Sequence, residues 1–439
     1  MTAPIRQTVR RILCLLILPS PGALMAQEPL PILRAHTNLV DIQDGDVLLK
    51  RAWTIDPAVA LDVYAVRRSA LGKKVTFITD LDSMSFDVLP GRTWDFVILL
   101  DGRPCRTRVS TLTQPFRRVG SAEASGPVSI PMSISNGKLH LQGRFNDSGL
   151  LDLIFDTGAD TNVLYPSALG KGARLRFDGS VNNAGTGGRT LRQTSSDNRL
   201  EVADLRWDHE PVLYVEKQAD AADGIVGYPV FQDKVVELDF DRMRLIIHEV
   251  VPGHAEGFAK TAMPFSGTLT AVVTGFGLGD RREAGPLLLD TGGSGTLTVN
   301  PAFASAHGLP RGLRKIGSSE MRGVGSGVVR SDVLLLPELI LAGHTLRNVP
   351  INVERPSERE PGPPGGALFM EVLSRFNIIL DYQRNEAYFR PNGRFGVPFQ
   401  VSSSGPPWYA KALLATIAMA SLALFLARWR RRAPGSHAT

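Results

Sequence analysis

The sequence predicts an all-β protein with a small N-terminal β-sandwich and two homologous β-lobes, set between an export signal and a C-terminal membrane-spanning helix. Three observations predict it. Short β-branched and aromatic runs, punctuated by Gly, Pro and Asp-Gly turn signals, fill most of the 439 residues. A stretch of about 130 residues occurs twice, too long for a solenoid unit and the right size for a lobe. Both chain ends are basic and apolar, whereas the body is neither. Gly (43) and Pro (30) are frequent enough for a turn-rich β-protein without reaching low complexity.

Residues 1–26 carry Arg6, Arg10 and Arg11, then the apolar core Ile12–Leu18, then Ala23-Leu24-Met25-Ala26. This is the layout of a secretory signal cut near Ala26, with a core too short to span a bilayer. At the other end, 409–429 is an apolar span with Trp408, Tyr409 and Trp429 as interfacial anchors and Lys411 able to snorkel. Arg430–Arg432 open a basic tail, 430–439, which belongs on the cytoplasmic side. The topology is then one of an exported body outside the cytoplasmic membrane, anchored by its C-terminal helix. A sorting tail cut after translocation has the same appearance.

The formal charge of +6 points at first to nucleic acid. The two ends hold three and five cations and no acid, which leaves −2 for residues 27–408. The body has no basic excess with which to bind phosphates, so no nucleic-acid partner is expected. Cys105 is the sole cysteine of that body, and the fold must stand on core burial without an intramolecular disulfide.

Residues 27–120 read as a β-sandwich. The runs Val75–Thr79, Ser85–Val88 and Trp94–Leu100 are strands, and Asp101-Gly102 is a hairpin turn. Residues 121–127 form a short linker. The first lobe, 127–250, contains Leu151–Phe155 followed by Asp156-Thr157-Gly158-Ala159. The second, 262–395, contains Leu287–Leu289 followed by Asp290-Thr291-Gly292-Gly293. Residues 250–262 join the lobes, and 396–408 link the second to the membrane span. About 30 residues beyond each Asp lies a glycine-rich turn, Gly185-Thr186-Gly187-Gly188 and then Gly323–Gly327. Each copy closes on a related segment, Ile225-Val226-Gly227 running to Asp239 and Ala367-Leu368-Phe369 running to Asp381. Asp239 and Asp381 are expected to be strand-end carboxylates facing water.

An apolar strand ending in Asp-Thr-Gly holds a carboxylate at a rigid, buried strand end. The Gly lets backbone approach closely, and the Thr hydroxyl ties the turn down. Two lobes related by a pseudo-twofold axis bring both loops face to face. Two carboxylates at hydrogen-bonding distance cannot both ionise cheaply and so share one proton. One can then draw a proton from water while the other protonates a carbonyl oxygen, with no metal and no covalent intermediate. The eight histidines show no zinc spacing, and neither Gly275–Gly279 nor Gly323–Gly327 has phosphate-loop spacing, so no cofactor or metal is expected.

These loops resemble those of pepsin-like and retropepsin-like aspartic proteases, closest to two-lobed bacterial members, over roughly residues 127–395. The resemblance implies that Asp156 and Asp290 are the catalytic dyad and that Thr157 and Thr291 interlock beneath them, with Gly158 and Gly292 completing the loops. It implies that Gly185, Thr186, Gly187, Gly323 and Gly325 lie at the tips of flaps over a cleft. It implies a peptide or protein substrate and a monomer that is an internal pseudo-dimer. The segment Phe77–Phe86 resembles, more weakly, an accessory β-domain ahead of such lobes. This sequence departs from the family pattern in three ways: Phe369 stands where lobe one has Gly227, Ala159 and Gly293 stand where pepsins place Ser, and neither flap has a Tyr at its tip. A catalytically inactive module that holds a peptide or envelope polymer in the same cleft is the alternative reading.

Overall fold

Buried and exposed side chains alternate along strands such as Leu39–Asp44 and Thr93–Leu100, the period-2 signature of a sheet with one face in a core. The computed structural model describes residues 29–400, apart from 46, 67–71, 90–91, 112–115, 120–125, 186–187, 218–220, 233, 267, 323–326 and 357–364. The export signal 1–26, the span 409–429 and the tail 430–439 lie outside the described residues. Among the described residues no helix is long and apolar enough to cross a membrane.

The N-terminal part is two four-stranded layers. One runs in the order Val47–Thr54, Leu39–Asp44, Lys73–Ile78, Ser83–Val88, and the other Ile32–Ala35, Thr93–Leu100, Arg103–Thr111, Asp62–Val66. Phe77, Phe86 and Phe96 fill the space between them, with Phe96 centred 5.0 Å from Phe77 and 4.9 Å from Phe86. Asp101 and Gly102 both take positive φ, 46° and 80°, the turn that matches strand twist in a two-residue hairpin.

The second layer continues past the sandwich. Asp62 stands opposite Ser180, and Ser180 N–H donates to Leu61 O at 2.9 Å. Strand Asp62–Val66 thereby runs alongside Gly179–Gly185, the outer strand of a long hairpin in the first lobe. Gly179 permits this, because a Cβ there would stand 2.8 Å from Val63 Cγ2.

The two lobes repeat one path. Lys138–Phe145, Leu151–Asp156, Gly224–Gly227, Asn162–Leu164 and Leu205–Tyr214 adjoin in that order. Leu269–Leu278, Arg281–Leu289, Gly366–Leu368, Leu297–Val299 and His344–Glu354 do the same. The senses of pairing match step by step: antiparallel, parallel, antiparallel, parallel. Each lobe adds a hairpin, Gly179–Gly185 with Gly188–Val202 and Arg314–Arg322 with Val328–Leu341.

A six-stranded sheet underlies both lobes. The first contributes Val128–Pro131, Arg244–His248 and Val235–Asp239, and the second Phe376–Asp381 and Glu386–Pro391. The stretch 250–262 does more than join the lobes, since Ala259–Ala262 forms the far edge of this sheet. Val235–Asp239 and Phe376–Asp381 pair antiparallel at the centre and are buried throughout. One apolar core runs through the sheet and both lobes, with Phe145, Phe231, Phe276 and Phe376 among its members. Removing each such ring from water stabilises the fold by about 1.5–3 kcal/mol.

Asp239 and Asp381 do not face water; they are 3% and 0% exposed. Each holds the turn after its strand. Asp239 accepts from Arg242 N–H at 3.0 Å and its guanidinium at 3.1 Å; Asp381 accepts from the N–H groups of Gln383 and Arg384 and from the Arg384 guanidinium. Several donors per carboxylate replace water, so position at a strand end was no guide to exposure.

Asp62, at the joint between sandwich and hairpin, has both carboxyl oxygens buried and no well-formed hydrogen bond among the described residues. Burial pushes its carboxyl up to about 8, against the pull of the Val63 N–H and with the charge of Asp56 adding to it. In the unfolded chain the same group releases its proton near 4. Between those values the unfolded state binds fewer protons, so stability falls as pH rises, on the order of a few kcal/mol in all. Asp62→Asn should flatten this fall: melting temperature should drop less for the variant than for the native chain between about pH 5 and pH 8.

Candidate active site

Strand Leu151–Asp156 is buried apart from Asp152 and its terminal Asp156, and Arg281–Leu289 is likewise buried over its last three residues. Both therefore deliver a carboxylate at the end of a rigid strand. Thr157 and Thr291, the next residues, are 0% and 1% exposed and exchange hydrogen bonds across the lobes. Thr157 N–H donates to Thr291 Oγ1 at 3.0 Å, and Thr291 N–H to Thr157 Oγ1 at 3.1 Å. Each hydroxyl donates in turn to the opposite strand, Thr157 to Leu289 O and Thr291 to Phe155 O, both at 2.7 Å.

The glycines that follow seat the partner's carboxylate. A Cβ at Gly158 would lie 2.8 Å from Asp290 Cγ and 3.1 Å from both Asp156 Oδ1 and Asp290 Oδ1. A Cβ at Gly292 would overlap the Asp156 carboxyl. The two carboxyls are thus hydrogen-bonding neighbours, 134 residues apart in sequence. Asp156 Oδ1 accepts from Gly158 N–H at 2.7 Å. Asp290 Oδ1 is buried and has no donor among the described residues.

Burial pushes Asp156 above the ordinary carboxylate value; the Gly158 N–H, the hydrogen bond to Asp290 and the charge of Lys138 pull against it. Burial, then the charge of Asp156, then their shared hydrogen bond, push Asp290 well above that value. A proton on Asp290 Oδ1 resolves both its missing donor and the repulsion between two like charges.

Phe369 does occupy the position of Gly227. Asp156 is opposite Gly227 across the parallel pair, and Leu289 is opposite Leu368, which sets Asp290 opposite Phe369. The ring does not separate the carboxyls. It lies where a side chain at 293 would go, since a Cβ at Gly293 would overlap it. Lobe one has the reverse combination, Ala159 with Gly227, whose own Cβ would stand 2.8 Å from Ala159 O. The departures at 293 and 369 are therefore linked: the Phe369 ring leaves room only for Gly at 293.

Gly185 and Gly188 pair as the last described rung of the first hairpin; Thr186 and Gly187 lie outside the described residues, as do Gly323 and Gly325 of the second. Val181 on the first hairpin shares an apolar cluster with Ala159, and Met321 on the second shares one with Phe369, so each hairpin reaches its lobe's loop. Among the described residues no group of three or more His, Cys, Asp or Glu side chains could hold a metal.

Two neighbours of the dyad escaped the sequence reading. Tyr382 is buried, its hydroxyl has no partner among the described residues, and burial with the fields of Tyr228 and Asp156 keeps it protonated. The place of Tyr382 immediately after Asp381, matching Phe240 after Asp239, was the available signal. Lys138, whose charge acts on Asp156, carries no motif that marks it in the sequence.

No family model matches the chain, and no curated protein matches it. Among solved structures, the aspartic proteinase from Irpex lacteus is similar to it at 11% identity and a TM-score of 0.44, over 62% of this chain and 99% of that one.

Two changes test the packing and the interlock. Gly293→Ala alone should cost about 1–3 kcal/mol by overpacking, and Phe369→Gly alone about 3–5 kcal/mol by opening a cavity. Together they rebuild the lobe-one combination, and urea denaturation should find their joint cost below the sum. Thr157→Val orphans Thr291 N–H and Leu289 O, and should lose about 2–5 kcal/mol in the same measurement.

Proposed function

We propose that the chain is an aspartic-type endopeptidase that hydrolyses peptide bonds with water activated by Asp156 and Asp290. The observation that carries this reading is the meeting of two carboxyls from separate lobes, one of which lacks any donor for its buried inner oxygen. Asp156, ionised, accepts a proton from water as the water oxygen attacks the scissile carbonyl carbon. Asp290 gives its proton to the carbonyl oxygen, and a tetrahedral diol results. Asp156 then passes its proton to the amide nitrogen, the C–N bond breaks, and a diol hydroxyl returns a proton to Asp290. The substrate lies extended beneath the two hairpins, pairing its backbone with theirs. Export and anchoring outside the cytoplasmic membrane belong to the same proposal and rest on residues 1–26 and 409–429 of the sequence.

The full chain, purified in detergent, is incubated with a mixed peptide library and cleavage read by mass spectrometry. Asp156→Asn and Asp290→Asn should each lower kcat by about a hundred- to ten-thousand-fold. The pH profile should be bell-shaped, lost on the acid side as Asp156 takes up a proton and on the basic side as Asp290 releases one. Cleavage that survives both substitutions overturns the reading.

A further inference from the structure

A strict twofold would make the two carboxyls indistinguishable, and the register of the lobes shows where that symmetry breaks. His140 stands opposite Ile154, two residues before Asp156. Ala271 stands opposite Leu288, two residues before Asp290. Two positions back along each strand, Lys138 and Leu269 are therefore counterparts, and each opens the strand that leads into its lobe.

The Lys138 end is pinned across the lobes. Its neighbour Leu139 donates its N–H to Thr291 O at 3.1 Å, inside the opposite active-site loop. On its other side the Asn136-Gly137 turn has φ values of 49° and 69°, and a Cβ at Gly137 would stand 3.0 Å from Ser294 Cβ. Lys138 is half-buried in this wedge, and its charge acts on Asp156. His140, two residues on, is occupied with Asp152 at 2.9 Å. Leu269 lies against the apolar cluster of Leu288, Phe369 and Met321, on the Asp290 side. One carboxyl thus feels the charge of Lys138, and on its twin's side the counterpart residue is hydrocarbon.

We propose that Lys138 is a positioning residue that sets the polarity of the dyad, holding Asp156 as the ionised base and leaving the shared proton on Asp290. This deepens the peptidase reading and rests on it. The groups that face the pair are the N–H of Gly158 on Asp156, those of Gly292 on both carboxyls and of Gly293 on Asp290, with Tyr382, kept protonated by burial, nearby. The amides come from both loops; the ammonium comes from one side alone. An opposite charge favours the carboxylate, so its removal makes Asp156 harder to ionise.

The test uses the full chain with Lys138→Met, Lys138→Gln, Lys138→Arg and Leu269→Met. The readouts are the pH profile of kcat/KM on a library-selected peptide and the titration of 13C-labelled aspartate carboxyls, assigned with Asp156→Asn and Asp290→Asn. Lys138→Met and Lys138→Gln should move the acid limb to higher pH, with kcat/KM on that limb falling about tenfold and the plateau KM unchanged. Lys138→Arg should hold the limb in place, and Leu269→Met should not move it. An unmoved acid limb and an unmoved Asp156 titration in both neutral variants overturn the inference. A native chain that cleaves nothing sinks the peptidase reading separately, and the carboxyl titration still decides the role of Lys138.

Discussion

Thr157 and Thr291 each give a backbone N–H to the other's hydroxyl and a hydroxyl to the other's strand. These four hydrogen bonds sit in a dry interior, where an unmet donor or acceptor is costly, so they fix the distance between the lobes sharply. The spacing of the carboxyls follows, because each Asp directly precedes its Thr on a buried strand. The need for Gly158 and Gly292 follows as well, since at that spacing each would press a side chain into the opposite carboxyl. The raised proton affinities of Asp156 and Asp290 are the last link, arising from burial and mutual repulsion.

Around this symmetric centre the two copies have diverged in linked positions. Lobe one keeps Ala159 and Gly227, whereas lobe two keeps Gly293 and Phe369, whose ring takes the space that a side chain at 293 would need. Lys138 and Leu269 differ in charge at equivalent register. Two copies of one path supply two carboxyls of equal standing, and the proposed acid–base hydrolysis asks for two of unequal standing.

The Asp-Thr-Gly loops were legible in the sequence because each follows an apolar run and each is followed by the same later features. The strands around Phe77, Phe86 and Val97 were legible from β-branched runs between turn signals. What was hidden depends on contacts distant in sequence. Gly293 and Phe369 could be seen as two anomalies but not as partners, because nothing local says that one ring fills the other's space. Asp239 and Asp381 were misjudged for a related reason: hydropathy puts a carboxylate in water unless donors are supplied, and the donors here come from the turn each one closes. The shared six-stranded sheet and the pairing of Asp62 with Ser180 arise from strands that no pattern along the chain connects.

That last pairing ties the N-terminal sandwich to the rest by more than a tether. Gly179–Gly185 is bonded to its hairpin partner on one side and meets the sandwich's edge strand on the other. Were the sandwich shed by proteolysis, the Ser180 N–H would lose its acceptor and the hairpin's open edge, the kind of border on which a second chain adds itself, would be one rung longer. The N-terminal layer thus shields that rung as a fender would.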